Sequence, residues 1–176
     1  MLELYCTQSN FTQRKRLCNQ YDSGEEIFLN PLHLSNQLCF PFYSISKEII
    51  KRYQPYLAPL NLTYPQYLVM LVLWEADHVP LSKIGKRLQL DSGTLTPVVK
   101  KLIVNGYVEK SRNPDDERQL VIKLTERGQA LQEEARDVPA KINDVLGLSA
   151  EEYVRYKEML DDLSVKLGLA EEKETC

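Results

Sequence analysis

Ser92, Thr94, Thr96, Lys100 and Lys101 are set against a second row of residues, Leu95, Val98, Val99 and Leu102, in the same stretch of chain. Short hydroxyl side chains near a helix start can meet base edges or phosphates, and lysines further along can neutralise phosphates, so the polar row suits a nucleic-acid groove. Further on, Asp115, Asp116 and Glu117 make an acidic turn closed by Arg118. Acids at a hairpin tip are repelled by phosphate unless they serve an arginine, and Asp116 is expected to orient Arg118 for entry into a narrow minor groove. The bland alternative is a protein-interaction module whose two lysines are a solvated face. Cys6, Cys18, Cys39 and Cys176 lack metal-ligand spacing, His33 and His78 are isolated, and no Gly-rich phosphate loop or catalytic triad is readable. The chain is therefore expected to have no cofactor, no metal and no enzyme activity.

Local rules predict the elements that position these residues. Pro80 suits a first helical position, and Leu81, Ile84 and Leu88 repeat at helical spacing behind it. Gly85 inside that short helix costs roughly 1 kcal/mol against Ala, which calls for a close neighbour such as a crossing helix. Gln89 and Leu90 form a turn, Asp91 caps the next helix, and Asn105-Gly106 ends it with Gly106 at positive φ. Pro97, at about the sixth helical position, should bend that helix or loosen its first turn. Tyr107 to Arg112 and Arg118 to Leu124 read as strands, the second with Leu120, Ile122 and Leu124 inward and Val121 and Lys123 outward. The order helix, turn, helix, strand, turn, strand over residues 81 to 124 is a helix-turn-helix with a wing.

The remainder reads as helical, so the fold class is mostly α with a small β-wing. A first long helix is expected from about Ser35 to Tyr56, stopped by Pro55 and Pro59, and a second is capped by Thr63 with Pro65 in its first turn. Thr125 caps a long helix that reaches Gly147 and bends near Pro139, and Ser149 with Glu152 makes a capping box for a last helix ending at Gly168. The terminal helices are too long for one small winged domain to cover, which predicts a two-fold dimer that pairs the reading helices for DNA half-sites.

The whole chain is slightly acidic, with 22 Lys and Arg against 25 Asp and Glu. That average conceals a segregation: residues 81 to 128 hold 10 basic and 6 acidic residues, and residues 129 to 176 hold 6 and 12. Positive charge gathers where a DNA reader needs it. A length of 176 residues with 43% hydrophobic content fits one domain with an appendage. Residues 1-34 read as a weakly structured extension, residues 35-168 as the winged helix with its dimerisation helices (DNA-binding part 62-128), and residues 169-176 as a tail. No apolar run is long enough for a membrane span and no secretory signal is apparent, so a cytoplasmic protein with reduced thiols is expected.

Leu38-Cys39-Phe40, Tyr43, Tyr53, residues 61 to 67 (NLTYPQY), residues 91 to 97 (DSGTLTP) and Asp116-Glu117-Arg118 form a set of motifs in a fixed order. With the order of helices and wing, this set resembles the MarR family of bacterial transcription regulators, and within it the organic-hydroperoxide-sensing OhrR repressors. The resemblance covers about residues 36 to 167. It implies that Cys39 is the peroxide sensor, that Tyr43, Tyr53 and Tyr64 hydrogen-bond it across a dimer, and that Asp116 and Arg118 serve the minor groove. Pro41, where the family more usually has an aliphatic residue, and the N-terminal extension depart from the pattern. Chemistry agrees with the sensor role: a thiol attacks peroxide as thiolate, and a helix N-terminus and hydroxyl donors both favour that anion. Leu38, Phe40 and Phe42 would favour an organic peroxide. No cysteine occurs between positions 39 and 176, so a low-molecular-weight thiol is the expected partner of the sulfenic acid, with Cys6, Cys18 and Cys176 as alternatives. A buried structural thiol, a regulator released by a small aromatic ligand, and a thiol-dependent peroxidase are the competing readings.

Overall fold

The computed structural model describes residues 32–112 and 120–169. They form helices α1 (Cys39–Leu57), α2 (Tyr64–Glu75), α3 (Leu81–Leu88), α4 (Ser92–Val104), α5 (Glu126–Ala135), α6 (Val138–Leu146) and α7 (Ala150–Lys166). Strands β1 (Val79–Pro80), β2 (Val108–Arg112) and β3 (Leu120–Leu124) complete the set. The chain divides into two units, residues 1 to 49 and 50 to 176. The described part of the first is a 3-10 turn, Leu34–Asn36, followed by the N-terminal part of α1.

Proline sets several boundaries. The first helix does not start near Ser35 as expected; α1 begins at Cys39. Pro41 is then its third residue, where a missing N–H is harmless because the first N–H groups of a helix have no partners inside it. Pro55 does not stop the helix, which runs on to Leu57, a side chain 1% exposed whose burial favours the extra turn. The long helix expected to bend near Pro139 is instead two, α5 and α6, with Pro139 the second residue of α6. Pro139 has no N–H for the Ala135 carbonyl and disfavours helical backbone before it, so a break replaces the bend. Pro80 caps α3 rather than opening it, and with Val79 forms β1, a strand that the sequence reading lacked.

In the second unit the sheet order is β1-β3-β2, all antiparallel, with Val79 opposite Ile122 and Lys110 on the other side of Ile122. The central position of β3 explains a second departure. Val121, expected to face outward, is buried as Ile122 is, because strands lie on both sides of β3 and Pro80 and Ser111 are its cross-strand partners. The main core gathers Met70 and Leu73 of α2, Ile84 of α3, Leu95 and Leu102 of α4, and Ile122 of β3. Gly85 has the close neighbour its cost required: an added Cβ would lie 2.9 Å from the Leu90 carbonyl oxygen and 3.5 Å from Cδ2 of Leu95. Three caps form as their residue types predict. Gln66 Oε1 accepts from the Thr63 N–H (2.7 Å), Thr125 Oγ1 from the Gly128 N–H (3.0 Å), and Ser149 and Glu152 bond reciprocally.

Candidate nucleic-acid interface and thiol site

The start of α4 is built by Asp91. Its carboxylate accepts from the Thr94 backbone N–H and from the Thr94 hydroxyl, each at 2.9 Å, and these bonds hold its pKa below the ordinary carboxylate value. The Thr96 hydroxyl donates to the Ser92 carbonyl at 2.6 Å. Both threonine protons are thus used within the helix, and their oxygens remain as acceptors. Ser92 and Thr94 are exposed and Thr96 is half-buried. Pro97 lies inside α4, which stays continuous to Val104, and Gly106 takes φ +74 just beyond its end as expected.

Lys100 and Lys101 are exposed and line a groove of about 510 Å³ with Asn61, Thr63 and Gln66. The wing register runs from Val108 opposite Leu124 to Arg112 opposite Leu120, and a 2.7 Å ion pair between Lys123 and Glu109 reinforces it. Asp116 and Arg118 lie outside the described residues, as do Cys6, Cys18 and Cys176. The sequence reading missed Asp77, whose Oδ1 accepts from the Leu124 N–H at 2.8 Å and ties the end of β3 to the turn after α2. No local pattern marks an aspartate for a partner 47 positions away.

In the first unit, Cys39 is the first residue of α1, a free thiol and exposed. Tyr43 follows one turn later on the same face, 62% exposed, and Lys47 one turn beyond holds its ammonium 5.1 Å from the centre of the Tyr43 ring. The spacing 39, 43, 47 carried that signal in the sequence, and Lys47 was overlooked. Leu38 and Phe40 flank the thiol as exposed apolar side chains.

The other two tyrosines expected at the thiol, Tyr53 and Tyr64, meet in the second unit. Tyr53 and Tyr64 have ring centroids 4.9 Å apart, and Tyr67 lies 5.9 Å from Tyr53 and 6.3 Å from the Trp74 ring. Burial, with smaller contributions from Tyr64, Tyr67 and Tyr153, pushes the Tyr53 phenol up to about 12; burial also raises Tyr64 and Tyr67. These hydroxyls therefore remain proton donors at neutral pH. Trp74 closes the row with a 2.9 Å hydrogen bond from Nε1 to the Gly128 carbonyl.

Among the described residues no His, Cys, Asp or Glu cluster could hold a metal, and no helix is long and apolar enough to cross a membrane. The fold and the reader define a winged helix-turn-helix transcriptional regulator. Residues 51–135 match the family model of the transcriptional regulator SarA/Rot. The chain is 43% identical to the organic hydroperoxide resistance transcriptional regulator of Bacillus subtilis strain 168, over 81% of this chain and 95% of that protein. It is 40% identical to the transcriptional regulator SarZ of Staphylococcus epidermidis RP62A, over 80% and 95%. Among solved structures it is similar to reduced AbfR bound to DNA, with a TM-score of 0.65, 35% identity, and 89% and 95% of the two chains covered. A disulfide-formed structure of AbfR is also similar (TM-score 0.55, 36% identity, 92% and 97% covered). The chain belongs to the MarR family of transcription regulators, on the branch of the organic hydroperoxide resistance regulators. Its relatives are regulators of transcription and not enzymes.

Proposed function

We propose that the protein is a repressor that binds operator DNA as a homodimer while Cys39 is reduced and releases it when an organic hydroperoxide oxidises that thiol. The observation that carries this reading is the exposed Cys39 thiol at the first position of α1, in a chain whose α4 and wing have the form of a DNA reader. Ser92, Thr94 and Thr96 are assigned to base edges or phosphates of the major groove, Lys100 and Lys101 to phosphates, and Arg118, oriented by Asp116, to the minor groove. Residues 35-168 form the regulator proper, with residues 62-128 contacting DNA. A row of exposed apolar side chains on α7, Tyr153, Tyr156 and Leu160, supports a dimer surface on the terminal helix.

The thiolate sulfur of Cys39 attacks the terminal peroxide oxygen. The O–O bond breaks, the alkoxide leaves and takes a proton as the alcohol, and sulfur, oxidised by two electrons, becomes a sulfenic acid. A low-molecular-weight thiol then condenses with it, losing water and leaving a mixed disulfide. Tyr43, Tyr53 and Tyr64 donate to the sulfur in the reduced dimer, and the modification removes that arrangement. Release of most operator requires the modified form to lose about 3 kcal/mol of binding, a factor of about a hundred.

A gel shift against the gene's own upstream region, with and without an organic hydroperoxide, tests this reading. Cys39→Ser is expected to bind as the native protein does and to ignore the oxidant. Release of Cys39→Ser by peroxide would refute the switch. A second reading draws on a groove of about 320 Å³ lined by Tyr67, Trp74, Glu75, Glu133, Arg136 and Pro139, whose aromatic walls suit a small aromatic acid that displaces Glu133 from the Arg136 guanidinium, a pair 3.1 Å apart. Release by such an acid combined with indifference to peroxide would favour it.

A further inference from the structure

Cys39, Tyr43 and Lys47 follow one another at four-residue intervals along one side of α1, so the thiol, the ring and the ammonium belong to successive turns. Lys47 is the only lysine or arginine among residues 32 to 49, and no carboxylate pairs with it among the described residues. Glu48, the only acid in that stretch, is turned about 100° away from it around the helix. The Lys47 ammonium lies 5.1 Å from the centre of the Tyr43 ring. An ammonium over a ring face keeps N–H donors free for an acceptor in front of it. Long helical side chains lean towards the N-terminus, so the ring props this charge on the Cys39 side of Lys47. Leu38 and Phe40 beside the thiol are exposed and apolar. They suit a neutral alkyl hydroperoxide, and the peroxide step proposed above makes no use of the cation.

We propose that Lys47 determines which thiol takes the second step: it receives the carboxylate of the low-molecular-weight thiol, so the partner of oxidised Cys39 is an anionic thiol. The partner's thiolate sulfur attacks Sγ of the Cys39 sulfenic acid. The S–S bond forms, the S–O bond breaks, and hydroxide leaves with a proton as water. The partner's sulfur is oxidised by one electron as the Cys39 sulfur is reduced by one, and the carboxylate takes no part in the bond changes. Reach is adequate. Tyr43 stands about 6 Å along the helix axis from Cys39, at four residues of rise. A disulfide bond adds about 2 Å to the Cys39 sulfur, and a two-carbon spacer with its carboxylate about 4 Å more. A carboxylate oxygen therefore arrives level with the Tyr43 ring and the ammonium over it. Two solvated unit charges about 5 Å apart change a rate by about threefold, and added salt screens the effect.

This role of Lys47 rests on the oxidation of Cys39 proposed above, and one experiment separates the failure of each. The full chain, treated with an organic hydroperoxide, is mixed with an excess of mercaptopropionate, mercaptoethanol or cysteamine. These thiols are similar in size and are anionic, neutral and cationic. The rate at which each forms an adduct on Cys39 is read by quenching in acid and mass mapping of the peptide, for the native chain, Lys47→Met and Lys47→Arg. Dividing the native rate by the variant rate cancels the intrinsic reactivity of each thiol. For Lys47→Met the ratio is expected to be about three with mercaptopropionate, about one with mercaptoethanol and below one with cysteamine, all converging on one as salt rises to about 0.5 M. Lys47→Arg keeps the charge and should give ratios of about one throughout. Equal ratios for the three thiols with Lys47→Met would overturn the role of Lys47 and leave the peroxide switch standing. Absence of an adduct on Cys39 of the native chain with all three would sink both.

Discussion

Tyr53 of α1 and Tyr64 of α2 meet with their rings tilted 56° and centroids 4.9 Å apart, so two hydroxyls assigned to the Cys39 sulfur are held by one packed aromatic cluster. Packing of the tilted rings restricts both side chains, and a donor that is already oriented loses less entropy when it binds a thiolate.

Tyr53→Phe and Tyr64→Phe are therefore expected to leave operator binding intact while slowing oxidation of Cys39. Stopped-flow measurement of sulfenic acid formation checks this, and an unchanged rate in both variants would remove the tyrosines from the sensor. Titration provides a second check. Tyr53 keeps its proton up to about 12, so its contribution to stability is complete below the ordinary value of 10 and is lost as pH rises from 10 towards 12. In an absorbance titration of the phenolates, Tyr53→Phe should delete a group that titrates above the ordinary phenol range.

Gly128→Ala is expected to destabilise the winged domain by about 2–4 kcal/mol. An added Cβ would lie 1.9 Å from the Tyr107 carbonyl oxygen and 2.9 Å from its carbon, both backbone atoms that cannot swing away. Urea denaturation should show a lower midpoint with an unchanged slope. Because Gly128 also accepts the Trp74 hydrogen bond, the emission of the single tryptophan should shift in the folded variant.

Asp91→Ala removes both bonds to Thr94 and frays the start of the reading helix, so operator affinity should fall, whereas Asp91→Asn retains a capping oxygen and much of the binding. The folded carboxyl sits below its ordinary value of 3.8, as does that of Glu152 below 4.5, its main cause the bond from the Ser149 N–H. Stability from both is present above those ordinary values and is lost as pH falls through the lowered ones. Acid unfolding followed by circular dichroism should begin at higher pH in Glu152→Ala than in the native protein.

Arg118→Ala should weaken binding most at operators with an A·T-rich minor groove, where the groove is narrow. Lys100→Ala should weaken binding to all sequences alike and reduce the salt slope by about one. Binding isotherms on two operators at several salt concentrations distinguish them, and uniform weakening by Arg118→Ala would reduce that residue to a phosphate contact.

Much of the fold was legible because its signals are local. Thr63, Asp91, Thr125 and Ser149 each meet a partner three positions on, and the apolar repeats of α2 and α4 lie within single helices. The same locality made the polar face of α4 and the cysteine at the start of α1 readable, although α1 begins at Cys39 rather than near Ser35, which puts Pro41 in the first turn where a proline is tolerated. The two-residue strand β1 was hidden, since Val79-Pro80 has no strand pattern and pairs only because β3 is present.

By itself the sequence determined which residues could read DNA and which thiol could react, since residue type, spacing and capping decide such matters within a few positions. Only the tertiary structure decided what those groups touch. The pairing of Tyr53 with Tyr64, Asp77 with Leu124, Trp74 with Gly128 and Gln89 with Leu169 joins residues far apart in sequence. Such contacts exist because burying the core brings the elements together, and the core is a property of the whole set of helices and strands rather than of any one segment.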